Sequence, residues 1–415
     1  MNLNKYSFGI GDRFGQQGKA QLKAIIEANK AFGLEISPVW NKSNREHQTV
    51  GTEPEDVRKE ADEAVKAAGF ALPYFVDADH INLSNVEKYI PYADFFTIDV
   101  ADYIGEKPAA QDLNDFIEAE KTMVGDLKIP GIDNPFKVTE EKIRQIGEEF
   151  LYAIKEAKKV YDLIISKKDD CIVELSMDEV DEPQTPLEML FILKMAASND
   201  IPIQTIAPKF SGNFFKGVDY EGDISLFERE FEEDLLVIDY AIQTFGMPEN
   251  LKLSVHSGSD KFSIYPIIGR LTKKHNKGVH IKTAGTTWLE EAIGLALSGN
   301  EGLSMVKTFY QKGYEKIDEL SAPYASVIDI KKELLPEPSE VNQWTGEQFA
   351  NTLRHIPGHK DYNPNFRQLV HISYKLAAAD LEQYIQALHQ NESIVNQQVF
   401  ENIYDRHLKR LFGQF

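Results

Sequence analysis

The chain has 415 residues, of which 42% are hydrophobic, and its formal net charge at pH 7 is −21. This acidity argues against nucleic acid or an anionic membrane surface as a partner, because both would repel the protein at long range. No run of about 18 apolar residues is present, and no basic segment followed by an apolar stretch opens the chain, so we expect a cytoplasmic protein with no membrane partner.

Eight short apolar runs, each followed by a helix-like stretch, dominate the pattern of the chain. The runs are Tyr6–Ile10, Leu34–Val39, Leu72–Val76, Phe95–Ile98, Cys171–Leu175, Ile203–Ile206, Leu251–Val255 and Gly278–Ile281. Strands that alternate with amphipathic helices indicate a parallel sheet, since parallel neighbours need a crossover and the helix covers the sheet. Eight such units are the number that closes into a barrel. The sequence therefore predicts an α/β protein built on a (β/α)8 TIM-type barrel.

Further segments are expected, because a plain barrel needs only about 250 residues. A long polar insertion, residues 103–139, follows the fourth predicted strand, and insertions of this length are commonly lids or binding elements. After the eighth strand we predict helices near Trp288–Ser298 and Leu303–Ala322, and helical periodicity over Pro364–Phe415. The predicted domains are a catalytic barrel of residues 1–330 and a helical C-terminal extension of residues 331–415 that packs on it.

Polar, chemically capable residues follow the C-terminal ends of the predicted strands. They are Asp12, Arg13, Trp40, Asn41, Asp79, His80, Asp99, Asp102, Glu174, Asp178, Lys209, His256, Ser257, Lys282 and Thr283. In a barrel these ends converge on one mouth, which is where the active sites of such enzymes lie. Residues distant in sequence are therefore expected to be neighbours there.

A histidine beside an aspartate at the end of the third predicted strand gives the sharpest chemical signal. Side chains alternate along a strand, but the chain's exit from the strand can present both Asp79 and His80 to the mouth. His256 supplies a second imidazole, and Glu174 and Asp178 supply further oxygens. Histidine and carboxylate ligands suit a divalent ion such as zinc, manganese, nickel or iron. We predict His80 and His256 as metal ligands, although one such residue taken alone more often caps a helix or hydrogen-bonds a loop.

Asp79 and Glu174 are the predicted acid and base. Carboxylates that face the inside of a barrel mouth are costly to bury unless a metal, a cation or a shared proton stabilises them. One could be ionised and the other protonated, which would divide the work of base and acid between them. The alternative is that both form salt bridges with Lys209 or Lys282.

Positive charge near the mouth of an acidic chain suits a small anionic substrate. The glycines before Arg13 do not have dinucleotide-binding spacing and instead favour a tight turn that leaves Arg13 available to an anion. Lys216 and Lys261 are expected to be solvated. Of the remaining histidines, expected at the surface or in packing positions, His371 is of most interest. The predicted substrate-binding residues are Asp12, Arg13, Lys209, Ser257, Asp260 and Lys282.

Several segments occur in the order found in a known family. They are Phe8–Arg13, Asp77–His80, Phe96–Asp99, Val173–Glu179 with Thr185–Leu187, Lys216–Tyr220, Phe227–Glu230, His256–Ser263, Ile281–Thr286 and Arg367–His371. Over nearly the whole chain they resemble the tagaturonate/fructuronate epimerase family. The resemblance implies a metal-dependent epimerase of keto-hexuronates in hexuronate catabolism. It also implies that Asp79 is the proton acceptor, Glu174 the proton donor, and His80 and His256 metal ligands. Tyr103 replaces a histidine of the family pattern, which leaves a related ketose or keto acid open as substrate.

The substrate class suggests a mechanism. The stereocentre that distinguishes tagaturonate from fructuronate lies one carbon beyond the position α to the ketone, so enolisation does not acidify its C–H bond. Retro-aldol cleavage, rotation of the aldehyde fragment and re-formation of the C–C bond would invert it. A metal-dependent aldolase or sugar isomerase would need the same residues, and a non-catalytic sugar-acid binding paralogue is a third possibility. The retained acid and base argue against the last, since binding needs neither. The sequence leaves the oligomeric state open, a homo-oligomer included.

Overall fold

The computed structural model describes residues 1–283 and 286–414. Its strands are β1 (Tyr6–Ile10), β2 (Ile36–Ser43), β3 (Phe75–Ile81), β4 (Phe95–Asp99), β5 (Gly125–Leu127), β6 (Phe136–Val138), β7 (Ile172–Ser176), β8 (Thr205–Ala207), β9 (Lys252–His256) and β10 (Val279–Lys282). All but β5 and β6 pair in parallel and close in the order β1-β10-β9-β8-β7-β4-β3-β2. The predicted (β/α)8 barrel is confirmed. Ala284 and Gly285 of the Ile281–Thr286 motif, and Phe415 of the predicted extension, lie outside the described residues.

The helices complete the barrel and build a body beside it. They are α1 (Gly18–Phe32), α2 (Asn44–Val50), α3 (Pro54–Ala68), α4 (Ala110–Glu120), α5 (Glu140–Ile165), α6 (Pro186–Ser198), α7 (Ile224–Phe245), α8 (Tyr265–Lys274), α9 (Thr287–Ser298), α10 (Asn300–Glu315), α11 (Ile317–Ser321), α12 (Pro338–Val341), α13 (Gly346–Leu353), α14 (Pro364–Ile372), α15 (Tyr374–Ala378), α16 (Leu381–Gln390), α17 (Glu392–Glu401) and, after a π-helical stretch over Asn402–Leu408, α18 (Lys409–Phe412). Local sequence sets several helix starts. At α6, for example, Thr185 and Glu188 form a capping box.

Two barrel strands continue four or five residues past the apolar runs that predicted them. The second run ended at Val39 and the third at Val76, whereas β2 reaches Ser43 and β3 reaches Ile81. The added residues include polar side chains that are buried, among them Lys42, Asp77 and Asp79, and these have partners inside the mouth. Lys42, for instance, donates from Nζ to the carbonyl of Arg13 at 2.6 Å. Hydrophobicity alone therefore ended these strands too early at the functional edge of the barrel.

The insertion after β4 contains α4 and the β5-β6 hairpin, and it packs on the outer helices. Phe116 of α4 meets Phe191 of α6 with ring centroids 6.3 Å apart. Lys194 of α6 also pairs with Glu120 at the end of α4, at 3.5 Å. These contacts fix α4 against the helical shell of the barrel.

The C-terminal helices share an apolar core with the helices that follow the barrel. Trp288 and Leu289 of α9 belong to the same buried cluster as Phe349 and Phe366. The end of the chain returns to the barrel, where Phe412 lies 5.2 Å from Tyr6 between ring centroids. The helical C-terminal region is thus confirmed, and a domain boundary at residue 330 stays a prediction. Each helix in the described parts of the chain is too short or too polar to span a bilayer.

Lys252, at the start of β9, gives a pH-dependent prediction. Its side chain is buried and donates to the carbonyls of Leu3 and Asn4, and burial lowers its pKa to about 7. The unfolded chain, with a lysine pKa near 10.4, binds more protons between about pH 7 and pH 10, so this residue makes the folded state more stable as pH rises. We expect the free energy of unfolding of the wild type to rise relative to that of Lys252→Met over this range, measured by chemical denaturation.

The matched control for this prediction is Lys312→Met. Lys312 is exposed on α10, so this variant should follow the wild-type pH dependence. Parallel curves for wild type and Lys252→Met would contradict the prediction.

Candidate active site

An irregularity at the end of β3 brings neighbouring side chains into the mouth. The pairing of β3 with β4 shifts register between Ala78 and Ile81, and His80 has a φ of +54°, in the left-handed region that non-glycine residues rarely adopt. Asp79 and His80 therefore do not diverge to opposite faces of the sheet. Backbone strain of this kind clusters at functional sites.

Three side chains from three strand ends could hold a metal ion. His80 on β3, Asp178 just after β7 and His256 at the end of β9 each offer a ligand atom, and these atoms lie within 4.8 Å of one another. Nε2 of His80 and Nδ1 of His256 lie 3.4 and 3.0 Å from the same oxygen, Oδ1 of Asp178. The structure thus brings together the two predicted imidazoles, and Asp178 joins them.

The other nitrogen of each imidazole is held by a carboxylate. Nδ1 of His80 lies 2.9 Å from Asp79 Oδ1, and Nε2 of His256 lies 2.8 Å from Glu174 Oε1. Carboxylates that orient metal-binding histidines through the second ring nitrogen are a recurring arrangement, because they set the tautomer and the ring direction. Nδ1 of His256 is buried and makes no hydrogen bond, even though Asp178 is close. A buried imidazole nitrogen that lies 3.0 Å from a carboxylate oxygen without a hydrogen bond to it fits a ligand of a divalent cation.

Local charge points the same way. Burial by itself would lower the pKa of His256. The negative charges of Asp178 and Glu174 more than offset this effect, and the pKa of His256 is raised to about 9. For His80 too, burial is outweighed by Asp79 and Asp178, and the pKa lies well above its usual value. The carboxylates around these rings therefore stabilise positive charge on or between the imidazoles. Protons on the rings can supply that charge, and a divalent ion bound in place of those protons can supply it too.

Lys282, the last residue of β10, lies at the centre of a buried carboxylate cluster. Its Nζ is 2.8 Å from Asp77 Oδ2, 2.8 Å from Asp79 Oδ1 and 3.0 Å from Glu174 Oε1. The salt bridges foreseen as the alternative role of Asp79 and Glu174 thus exist, with Lys282 and not with Lys209. Burial would raise the pKa of Asp79 and of Glu174, but Lys282 and the adjoining histidines hold both below their usual values. Both carboxyls are therefore ionised at neutral pH in this arrangement.

Asp77 and Thr97 belong to this cluster, although sequence reasoning gave neither a role. Thr97 Oγ1 lies 2.9 Å from Asp77 Oδ1 and 3.1 Å from Glu174 Oε1. Burial raises the pKa of Asp77 to about 7, against the opposing effect of Lys282. The signal that could have found Asp77 is strand alternation, since residues two apart on β3 face the same side and Asp79 was already a candidate.

The predicted substrate-binding residues do not form one group. Lys209 lines a small cleft beside His256 and Asp178, together with Phe210 and Phe214. Ser257 is fully buried and donates from Oγ to the carbonyl of Lys282 at 2.6 Å, which ties β9 to β10. Lys209 and Lys282 are thus the two cations of the group that the structure places near the imidazoles, and Lys282 is occupied by the carboxylates.

Two predicted binders, Asp12 and Asp260, are occupied by partners inside the protein. Asp12 accepts from the backbone N–H groups of Phe14, Gln16 and Gln17, so it shapes the turn before α1. Asp260 is fully buried and accepts from Arg367 at 2.6 Å.

Arg13 and Lys261 are also buried, in different settings. The Nε of Arg13 donates to Glu46 at 2.8 Å, and its guanidinium stacks 3.9 Å from the ring centroid of Tyr374. Lys261, expected to be solvated, has no exposed surface, because its ammonium donates to the carbonyls of Phe215 and Val218. The expectation for Lys261 was therefore wrong.

Comparison with known proteins places the chain among carbohydrate epimerases. A model of the tagaturonate epimerase family, UxaE, matches residues 1–411. The tagaturonate/fructuronate epimerase of Thermotoga maritima is 27% identical, over 98% of this chain and 81% of that protein. Crystal structures of the fructuronate-tagaturonate epimerase UxaE from Cohnella laeviribosi share the fold. The native form has a TM-score of 0.78 at 23% identity, covering 99% of this chain and 82% of that one, and a glycerol complex has 0.80 at 24%, covering 98% and 81%.

Proposed function

This chain belongs to the tagaturonate epimerase family and is an epimerase, and from that premise we propose that it interconverts D-tagaturonate and D-fructuronate at a divalent metal site formed by His80, Asp178 and His256. The resemblance recognised in the sequence is confirmed at the level of the family. The observation that carries the metal proposal is the convergence of these three ligand atoms within 4.8 Å at the barrel mouth. A small sugar acid as substrate agrees with Lys209, a cation that lines the cleft beside His256 in an otherwise acidic chain.

A divalent ion held there would act as a Lewis acid that polarises the substrate ketone and stabilises developing negative charge on oxygen. Asp79, ionised and next to His80, is placed to accept the proton of the substrate hydroxyl. Lys282 holds Asp79 and Glu174 on either side of one ammonium, which fixes the spacing of the two carboxylates. These residues orient the substrate and move its proton.

Glu174 needs a source of protons to act as the donor. Its pKa lies below the usual value, so it is ionised before the reaction begins. Asp77, with a pKa near 7, can carry a proton, and the Thr97 hydroxyl lies between Asp77 and Glu174. We assign Asp77 as the proton reservoir that recharges Glu174 through Thr97.

Retro-aldol chemistry accounts for the inversion. Loss of the hydroxyl proton to Asp79 lets the neighbouring C–C bond break, leaving an aldehyde on one fragment and the electron pair of an enediolate on the other. Rotation of the aldehyde and return of the electron pair to its opposite face re-form the bond with inverted configuration. Glu174, charged with a proton from Asp77 through Thr97, then protonates the alkoxide oxygen. Asp79 releases the proton it accepted to solvent and Asp77 regains one from solvent, so protons balance over the cycle and no C–H bond is broken.

Turnover in deuterated water tests this mechanism. We expect no deuterium on the inverted carbon when the product is examined by NMR, because only O–H protons exchange. Deuterium at that carbon would contradict the retro-aldol step and favour direct C–H removal.

The activity itself is tested with purified protein reconstituted with zinc, manganese, nickel or iron. Tagaturonate, fructuronate, tagatose and fructose are offered separately, and the stereochemistry of each product is determined. Epimerisation of the two acids supports the proposal. Free three-carbon products would indicate an aldolase instead, and tight ligand binding without turnover with all four metals would indicate a sugar-acid binding protein. A cytoplasmic location is also part of the proposal.

A further inference from the structure

Arg13 and His371 form a buried contact where the C-terminal helices meet the barrel mouth. Arg13 follows β1 and His371 lies near the end of α14. The guanidinium of Arg13 donates from Nη1 to the carbonyl of His371 at 3.2 Å, and its Nη2 lies 3.1 Å from His371 Nε2. Arg13 also pairs with Glu46, whose carboxylate is near enough to Asp79 for the two charges to interact. The contact is therefore next to the acid-base cluster.

The arginine determines which nitrogen of His371 carries the proton. A guanidinium can only donate hydrogen bonds, so Nε2 must accept and the proton must be on Nδ1. Burial, followed by the charges of Arg13 and Lys216, lowers the pKa of His371 well below its usual value, which keeps the ring neutral. The side chain is 1% exposed, and its Nδ1 has no hydrogen-bond partner in residues 1–283 and 286–414. A buried N–H donor among cations lacks an acceptor, and an anion would supply one.

Lys216 lies in a turn whose backbone packs against His371. Gly217 has a φ of +82°, and a Cβ at this position would lie 3.6 Å from the Cβ of His371. Arg367 donates from Nε to the carbonyl of Gly217 at 2.6 Å. The backbone N–H of Lys216 donates to the carbonyl of Val327 at 2.8 Å. The turn is thus attached to α14 on one side and to the loop that follows α11 on the other.

The same turn is also attached to the barrel, whereas the side chain of Lys216 forms no salt bridge within the described residues. Lys261 donates to the carbonyls of Phe215 and Val218, at 2.9 and 2.7 Å. No carboxylate of the described residues lies within 4.0 Å of the ammonium of Lys216. The protein therefore fixes the backbone that carries Lys216 and leaves its ammonium without a counter-ion in those residues, so this cation is available to an anion.

We propose that the Nδ1–H of His371 and the ammonium of Lys216 together bind the carboxylate of the sugar acid, and that this pair selects acids over neutral sugars. The inference rests on the proposed function and deepens it. Lys209 is not part of this pair, because it lies in the cleft beside His256 and Asp178, next to the proposed metal site. The substrate oxygens near the reacting carbons would lie there. The C-terminal helices, through His371, thus contribute to substrate recognition in the barrel mouth.

Steady-state kinetics on metal-reconstituted protein tests the proposal. We expect the KM for tagaturonate to rise about 10-fold or more in Lys216→Met and in His371→Phe, with kcat within about 3-fold of wild type, because the lost contact is to the carboxylate and not to the reacting carbons. Lys216→Arg should restore most of the affinity, since it keeps the charge. Lys312→Met, which removes an exposed lysine from α10, should leave KM unchanged.

Binding of galactonate, a six-carbon acid, and of galactitol, its neutral counterpart, gives a second measurement by calorimetry. Galactonate should bind wild type and Lys216→Arg but bind Lys216→Met and His371→Phe at least about 10-fold more weakly, while galactitol should not discriminate among the four. If wild type turns over no substrate with any metal, the proposed function fails, and galactonate binding still decides this inference. A KM and a galactonate affinity within about 3-fold of wild type in Lys216→Met, or no galactonate binding by wild type, would overturn it.

Discussion

Replacing His256 with alanine is expected to abolish metal binding and to lower kcat/KM for tagaturonate by well over 100-fold. The basis is the position of its Nδ1, which is buried, makes no hydrogen bond and lies 3.0 Å from Asp178. Loss of groups that only orient a ligand typically costs about 10- to 100-fold in metal affinity or activity, and loss of a ligand itself should cost more. Asp178→Asn is expected to behave in the same direction, since it removes the charge of the oxygen that both imidazoles face.

Metal content and activity are measured on the same preparations. Wild type should retain one divalent ion per chain after dialysis, lose activity with a chelator and regain it on addition of the ion. The ion should also raise the melting temperature of wild type and not of His256→Ala, because a ligand that binds only the folded state stabilises it. The matched control is His389→Ala, since His389 is exposed and its imidazole contacts Gln16. Full activity in metal-free His256→Ala would exclude the metal site.

The barrel and the closeness of the two imidazoles could be predicted from the sequence. Both depend on a local hydrophobic pattern and on one topological rule, that the strand ends of a closed barrel converge. Apolar runs alternating with helical stretches specify parallel strands, and closure brings the strand ends together whatever their separation in the chain. His80 and His256 each sit at the end of such a strand. Asp178 comes two residues after β7, where the chain has left the sheet, so its direction could not be read from alternation.

The buried charges of the mouth were harder to predict, because their partners are distant in sequence. Lys282 and Asp77 are brought together only by barrel closure, and neither spacing nor composition reveals the pair. Arg367 and Asp260 are 107 residues apart and meet because α14 packs onto the loop after β9. Sequence reasoning assigned Asp260 to the substrate, while the structure places its carboxylate among internal donors.

Arg367→Met is expected to destabilise the fold by about 3–5 kcal/mol, the usual cost of removing one partner from a buried ion pair. Arg367 has no exposed surface, and its guanidinium donates to Asp260 at 2.6 Å, to the carbonyl of Gly217 at 2.6 Å and to that of Leu353 at 2.8 Å. Burial would raise the pKa of Asp260, but Arg367, with His355 and others, holds it well below its usual value. Without the arginine, the buried carboxylate of Asp260 loses its guanidinium partner and two carbonyls lose a donor.

An exposed ion pair provides the matched comparison by chemical denaturation. Arg270 pairs with Glu228 at 2.8 Å, and both side chains are well exposed, so Arg270→Met should cost no more than about 1 kcal/mol. Adding Asp260→Asn to Arg367→Met should recover part of the loss, because a neutral amide no longer leaves a charge buried without a cation. If Arg367→Met costs as little as Arg270→Met, this pair does not secure the C-terminal helices to the loop that follows His256.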